Sequence, residues 1–451
     1  MNLQNLPPEL ISLICEALCP HCPIGGPDAL ALEIEVSEFC VRRDTLLSLC
    51  LLCKSWADIA QRILFHTQLV GRERTQIRFC RSICERPELG RSVRWTTLKQ
   101  ISQLDWDLEK DDDSWLFKSL ERFSEILNIP PAPYNFSTGA WSPFIVPLIL
   151  LQIPNAIFLH VHTQGVEHLM QQFRKPHSSH LHAFPQNVVR VIMREGPNSQ
   201  DARPQTGPID LSDTAGGGLL SNIPSVEILS LGNPVRQTIK SPLKLHNIRD
   251  LQLRDVCLGR EELRLLVSAT GPLEAFEYMG RTTDEPNQAT GQDVCEVLMM
   301  KKDTLTEATV ATYYHARHFT AARSLENLTW LRIPAQSIWQ STENELALHD
   351  QAWVAVFPPN LSTIVIDIWL EEIEGLFDAF TTYILSQCPD RLEDQVLKYV
   401  RINIRLGPLP EGVPNSPSPS DYPNCEKIKQ KCCKFLERGD IVIKYYYGGE
   451  Y

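Results

Sequence analysis

Apolar positions in the first 70 residues recur every three to four places in two stretches. In the first, Leu10, Ile14 and Leu18 lie four apart with Ile11 beside them, behind Leu6, Pro7 and Pro8. Proline in a first helical turn has no N–H to satisfy, and Glu9 sits near the positive end of the dipole, so a helix is expected to begin there. In the second stretch Leu49, Leu52, Cys53, Trp56, Ile59, Ala60, Ile63 and Leu64 keep the same spacing, which predicts one helical piece. Two short amphipathic helices cannot bury both stripes against each other, which leaves apolar surface for another protein. Between them, Cys19 to Arg43 reads as an insert that is rich in turn residues at its start.

Ile77, Cys80, Ile83 and Cys84 predict a helix that stops at Pro87, and Leu89 to Trp95 reads as turn and strand. Leu116, Leu120, Phe123 and Leu127 predict another helix, with Ser114 as its cap and Asp111, Asp112 and Asp113 as partners of its dipole rather than as a metal site. From about residue 145 the pattern becomes apolar-x-x-apolar-x-apolar. It occurs at Ala156/Leu159/Val161, Val188/Val191/Met193, Val226/Leu229/Leu231, Ile248/Leu251/Leu253, Leu273/Phe276/Tyr278, Leu328/Leu331/Ile333, Leu361/Ile364/Ile366 and Leu397/Val400/Ile402. The unit from Ile248 to Leu258 closely matches a leucine-rich repeat, with Val256 in the place of the usual Asn or Cys. Successive middle positions are 22 to 55 residues apart, so the array is irregular and carries insertions.

Helical patterns occupy several gaps, for example Glu261 to Thr270 and Glu372 to Gln387. Strand followed by helix, repeated, predicts an α/β solenoid with parallel strands inside and helices outside. Tyr399 to Leu406, the helix Cys425 to Arg438 and Ile441 to Tyr447 make a closing strand–helix–strand cap. Glu195 to Gly218, Gly280 to Asp293 and Gly407 to Pro423 read as loop insertions on this frame. Gly216-Gly217-Gly218 is followed by neither Lys-Ser nor Lys-Thr and reads as a hinge, not a phosphate loop. The expected division is 1–70 with the insert at 19–43, a helical connector that starts the array at 71–144, and the repeat region at 145–451.

The N-terminal residues carry a resemblance. Leu6-Pro7-x-Glu9-Leu10 with Ile14 and Leu18, then Leu49-x-x-x-Cys53-Lys54-x-Trp56-x-x-Ile59-Ala60, is similar to the F-box, most closely as it stands at the N-terminus of fungal F-box proteins with leucine-rich C-terminal regions. Pro87-Glu88-Leu89-Gly90-x-x-Val93-Arg94 resembles the segment that opens the C-terminal array in those proteins. The resemblance implies an all-helical F-box followed by the leucine-rich-repeat-like solenoid. It further implies docking on the adaptor, and through it the cullin, of an SCF-type ubiquitin ligase. It assigns adaptor contacts to Leu6, Pro7, Pro8, Glu9, Leu10, Ile14, Leu18, Leu49, Leu52, Cys53, Trp56, Ile59 and Leu64. The sequence departs from the family where the usual short link between helices becomes Cys19 to Arg43.

Composition narrows the partners. A formal charge of −12 without a clustered basic stripe disfavours nucleic acid. The N-terminus lacks a basic region followed by an apolar run, so no signal peptide is expected. Phe144 to Leu159 is interrupted by Pro147 and Pro154 and contains Gln152 and Asn155, and is read as core rather than a membrane span. Fourteen cysteines are sparse for this length, which fits free thiols in cytoplasm or nucleus. No Gly-x-Ser-x-Gly, His-Glu-x-x-His or phosphate loop occurs, so no catalytic residue and no cofactor are expected.

Two metal readings remain beside that expectation. Cys19-Pro20-His21-Cys22 has the spacing to join Cys50-x-x-Cys53 in a four-thiolate zinc site. Cys53 is already explained as a small hydrophobe on the helical stripe, so a plain loop without metal is preferred. His160 and His162 share one face of a strand, and Glu167 follows, as in a two-histidine-one-carboxylate metalloenzyme. The preferred reading puts those histidines on a partner-binding face. Alternation along the strands puts His160, Gln252, Arg254, Glu277, Arg332, Asp367 and Arg401 on that concave face, with Trp330 and Trp369 beside them, as the site for a protein substrate. On this reading, charge reversal at Arg254 or Arg332 leaves stability nearly unchanged.

Overall fold

The computed structural model describes residues 6–22, 36–68, 73–99, 114–127, 142–162, 185–194, 220, 223–232, 245–280, 288–312, 320–334, 357–369, 399–406 and 441–447. They fall into two compact units, Met1–Ile248 and Arg249–Tyr451.

The first unit opens with α1 (Pro8–Leu18), α2 (Val36–Cys50) and α3 (Lys54–Leu64). Pro7 caps α1, Pro8 occupies its first turn and Glu9 adds the favourable carboxylate. Ile11, Cys15, Cys19, Leu46, Trp56, Ala60 and Ile63 form a buried core, with Leu6, Leu18, Leu49, Cys50, Cys53, Ile59 and Leu64 packed on it. The single helical piece expected across residues 46–65 is two helices. The Leu51 and Leu52 N–H groups close a tight turn onto the Ser48 and Leu49 carbonyls, and Cys53 is extended at φ −164°, ψ 173° as the cap of α3. The turn re-aims the chain so that Trp56, Ala60 and Ile63 enter the core. Helix α2 begins at Val36, inside the stretch expected to be insert.

Next come β1 (Thr67–Gln68), α4 (Glu73–Glu85), α5 (Pro87–Ser92), β2 (Trp95–Leu98), α6 (Ser114–Leu127), α7 (Ser142–Gln152), β3 (Phe158–His162), β4 (Arg190–Arg194) and β5 (Ile228–Gly232). The five strands pair in sequence order and in parallel, with Leu98, Val161 and Met193 marking one register through Val161 to Leu231. Helix α7 is buried over residues 145–151, as the core reading of that apolar run required. Leu89 to Ser92 is helix rather than turn: Pro87 starts α5 and Glu88 lies in its first turn.

Gly90 of α5 lies against the end of α7, where a Cβ would meet the Gln152 carbonyl oxygen closer than side chains approach backbone. Because the obstacle is main chain, Gly90→Ala should cost roughly 2–3 kcal/mol, toward the upper end of overpacking penalties. The midpoint of chemical denaturation measures this. An unchanged midpoint would mean that α5 and α7 separate freely.

The second unit carries β6 (Asp250–Val256), α8 (Arg260–Ala269), β7 (Ala275–Gly280), α9 (Gly291–Leu298), β8 (Glu307–Ala311), β9 (Trp330–Pro334), β10 (Thr363–Trp369), β11 (Tyr399–Leu406) and β12 (Ile441–Tyr447), with one-turn 3₁₀ segments at Met299–Lys301 and Thr320–Ser324. Its strands also pair in order and in parallel. Leu251, Leu253, Phe276, Tyr278, Ala308, Val310, Leu331, Ile333, Ile364 and Ile366 are buried, as are Leu263, Leu266 and Val267 of α8 and Val294 and Leu298 of α9. Gly291 to Asp293, expected to be loop, is the first turn of α9. Thr290 and Asp293 make a reciprocal capping box that satisfies two otherwise unpaired N–H groups. Both units are α/β, with parallel strands in sequence order and helices between them, compatible with a solenoid-like repeat.

The strand series starts at Thr67, within the 1–70 segment and before the 71–144 segment expected to start the array. The loops Glu195 to Gly218 and Gly407 to Pro423, the helices Glu372 to Gln387 and Cys425 to Arg438, and Asp111 to Asp113 lie outside the described residues. Among the described residues, no helix is long and apolar enough to cross a membrane.

Candidate functional site

Among the described residues, eight large hydrophobic side chains are exposed, and seven of them belong to the N-terminal helices: Leu10, Leu13, Ile14, Val41, Leu47, Leu51 and Leu52. Leu13 is 60% and Leu51 86% exposed, whereas the remaining member, Met300, lies in the other unit. The pattern-derived contact set divides accordingly. Pro7, Pro8, Glu9, Leu10, Ile14 and Leu52 are exposed, and Leu6, Leu18, Leu49, Cys53, Ile59 and Leu64 are half-buried against the helical core. Trp56 is 1% exposed, which removes it from the contact set and makes it the centre of the fold. Leu13, Leu47 and Leu51 were missed because they fall off the stripes that the spacing picked out, and Val41 because it lies in the stretch read as insert.

The strand alternation places the second set on the sheet face opposite the buried leucines. Arg254 donates a two-pronged pair of hydrogen bonds to Glu277 at 2.9 and 2.8 Å. Arg332 does the same to Asp367 at 2.9 and 3.3 Å, and the Asn403 amide donates to Asp367 at 2.6 Å. Arg401 donates to the Asn403 amide oxygen at 2.9 Å, and Gln252 to the Asp250 carboxylate at 2.9 Å. Trp330 is half-buried, two places before Arg332 and on the same face. The Trp369 side chain lies outside the described residues. One expectation is corrected: Asp367 is buried at 6%, so it is a structural anchor and not a free contact. With it falls the expectation that charge reversal at Arg332 is harmless, since a carboxylate there would face Asp367.

In the first unit the His160 and His162 rings lie 4.6 Å apart. Burial, followed by the neighbouring His162 and Arg194, pushes the His160 imidazole down to about 3, so it is neutral at physiological pH. Glu167 lies outside the described residues. Among the described residues no third potential ligand joins the two histidines.

A third site was anticipated in part only. Cys19, His21 and Cys22, from the segment after α1, meet His66, from the turn between α3 and β1, with all four potential ligand atoms within 4.8 Å of one another. His66 Nδ1 lies 3.8 Å from Cys19 Sγ and 3.4 Å from Cys22 Sγ, and His21 Nδ1 lies 3.6 Å from Cys22 Sγ. The fold positions these groups. Cys19 N–H closes α1 on the Cys15 and Glu16 carbonyls, and the His66 carbonyl accepts from the Arg94 and Trp95 N–H groups at 2.9 Å each. The His21 ring stands edge-on to Trp95 at 5.2 Å and to His66 at 5.7 Å. The hydrogen bond from Cys22, aided by His21 and His66, holds the Cys19 thiol far below its ordinary value despite burial, and Cys22 is raised in return. The disfavoured four-cysteine set is not the one brought together: Cys50 and Cys53 pack on the helical core and are not among these four groups. Cys-x-x-Cys was the legible half. The two histidines were missed because one lies inside the motif and the other 44 residues beyond Cys22.

No family model and no curated protein matches the chain. Among solved structures, a crystal structure of a protein from Bacteroides fragilis is similar at 12% identity and a TM-score of 0.36, over 65% of this chain and 66% of that one. The chain thus spans a little under two thirds of that protein's length. At that identity and score the likeness carries no statement about function.

Proposed function

We propose that the chain is the substrate-recognition subunit of an SCF-type cullin-RING ubiquitin ligase. Its N-terminal helices act as an F-box that binds the adaptor, and its leucine-rich-repeat-like region holds a protein substrate for ubiquitin transfer by other subunits. The observation that supports this reading is the concentration of exposed large apolar side chains on α1, α2 and the turn after α2. Large apolar side chains left in water in such number on one short segment are the kind of surface that another protein covers. Leu10 and Ile14 belong both to the F-box-like motif and to the exposed set.

The proposal makes the chain a non-catalytic receptor acting in cytoplasm or nucleus, without nucleic acid or membrane as partner. Its substrate would lie on the sheet face of the second unit that carries Gln252, Arg254, Glu277, Trp330, Arg332 and Arg401. Since Arg254 and Arg332 already pair within the chain, a substrate would compete for their outer donors or add to the pairs.

Leu13→Asp and Leu51→Asp test the adaptor contact, because both side chains are exposed and their loss should leave the fold intact. Truncation of a buried interface anchor costs about 2 kcal/mol or more, roughly a 30-fold loss of affinity. Each variant should therefore lose adaptor and cullin recovery in co-precipitation while keeping its unfolding midpoint. Undiminished recovery by both variants, or absence of the adaptor from the wild-type precipitate, would leave a leucine-rich scaffold without a ligase role.

A further inference from the structure

The Cys19, His21, Cys22 and His66 cluster has a use that neither the helical core nor the exposed apolar patch requires. We propose that these four residues bind one zinc ion in a closed Cys2His2 site that clamps the end of α1 to the turn leading from α3 into β1.

The geometry points to a tetrahedral metal. With zinc bonds of about 2.3 Å to sulfur and about 2.05 Å to nitrogen, the sulfur–nitrogen edge of a tetrahedron is about 3.5 Å. Three sulfur–nitrogen separations in the cluster are 3.4, 3.6 and 3.8 Å. They involve four side chains from two separate segments, and the nitrogen is Nδ1 in both histidines. Two thiolates and two imidazoles are the donor set that selects zinc over hard cations, and four protein ligands leave no open position for catalysis. Two thiolates also neutralise the dication, so the partly buried site carries no net charge when loaded.

A redox dithiol would use the same Cys-x-x-Cys, but its placement here is unfavourable. Reactive thiolates gain from the positive N-terminus of a helix, whereas Cys19 stands at the C-terminal end of α1, where the dipole favours a cation and only the neighbouring Cys22, His21 and His66 support the thiolate. His66 is also held by its own main chain, since its carbonyl receives the Arg94 and Trp95 N–H groups ahead of β2. The clamp therefore ties the N-terminal helices to the first strands of the first unit. This inference does not depend on the ligase reading, because it predicts a metal content whether or not an adaptor binds.

The test uses the full chain purified under reducing conditions with zinc in the medium. Elemental analysis should find about one zinc per chain. Cobalt(II) added to chelated protein should give the intense thiolate-to-metal and tetrahedral ligand-field bands. Cys22→Ser and His21→Asn should each weaken zinc binding by more than the roughly 10–100-fold that loss of an outer-shell partner costs. Cys53→Ser should retain the metal. Alkylation of unmodified protein supplies a readout that does not depend on a variant folding: Cys19 and Cys22 should be protected until a chelator is added. Absence of zinc and cobalt bands from folded protein, or a Cys19–Cys22 disulfide in place of metal, overturns the proposal. Equal loss of zinc in Cys53→Ser and Cys22→Ser would also overturn it, in favour of the four-thiolate set.

Discussion

Trp56→Ala is expected to lower the stability of the N-terminal helices by about 3–5 kcal/mol, the range for removing a large aromatic side chain from a core. Trp56 is 1% exposed and stands among the largest fully buried side chains of the described residues. Its core contains only six other buried residues, of which Cys15, Cys19 and Ala60 are small. Few neighbours can move into the vacated volume, so the cavity term should remain nearly whole. Hydrogen exchange over residues 36–64 and the first transition in chemical denaturation read the loss. The variant should also lose adaptor binding, but together with stability, whereas Leu13→Asp and Leu51→Asp should lose binding alone. This separates the residue that builds the surface from residues that form it. A Trp56→Ala protein with unchanged exchange protection would place the tryptophan outside the core.

The alternation of apolar residues carried much of the strand series. All eight repeats fall on strands, from Leu159 and Val161 on β3 to Val400 and Ile402 on β11, because leucine-like residues at fixed spacing leave few other ways to be buried. Two strands outside the eight repeats have a weaker side chain at the middle position. On β8 the pattern is Leu305, Ala308 and Val310, and on β2 it is Val93, Thr96 and Leu98, all six at or below 1% exposure. Alanine and threonine there give burial without a hydropathy signal. The N-terminal stripe misled for the opposite reason: Leu49, Leu52, Cys53 and Trp56 keep helical spacing across a turn, and spacing alone does not register a change of axis. The metal candidate was half legible because Cys-x-x-Cys is local, while His66 joins it only through the path of α3 and the main-chain bonds at Arg94 and Trp95. The ladder of pairs on the sheet face was invisible to alternation. Periodicity gives the side on which a charge lies and is silent about its partner on the next strand.

Arg332→Glu is expected to destabilise the second unit by roughly 3 kcal/mol, at the low end for a broken buried ion pair because the arginine side chain keeps 28% exposure while that of Asp367 keeps 7%. The native arrangement sets the Arg332 fork against the Asp367 carboxylate, with the Asn403 amide donating to the same group. Reversal removes two charge-assisted bonds and puts a second carboxylate beside one already withdrawn from water, whereas Arg332→Met removes the bonds alone and should cost less. Replacing both partners, as in Arg332→Met with Asp367→Leu, removes the uncompensated charge and should recover part of the loss, the remainder being the buried Asn403 amide that then lacks its acceptor. Arg254 and Glu277 provide the internal control. Their side chains are 41% and 16% exposed, so water screens that pair more and Arg254→Glu should cost about 1 kcal/mol. Unfolding midpoints of the four variants decide the matter. If Arg254→Glu proves as damaging as Arg332→Glu, or the double replacement is worse than Arg332→Glu, then Asp367 is held by packing and not by its charge partner.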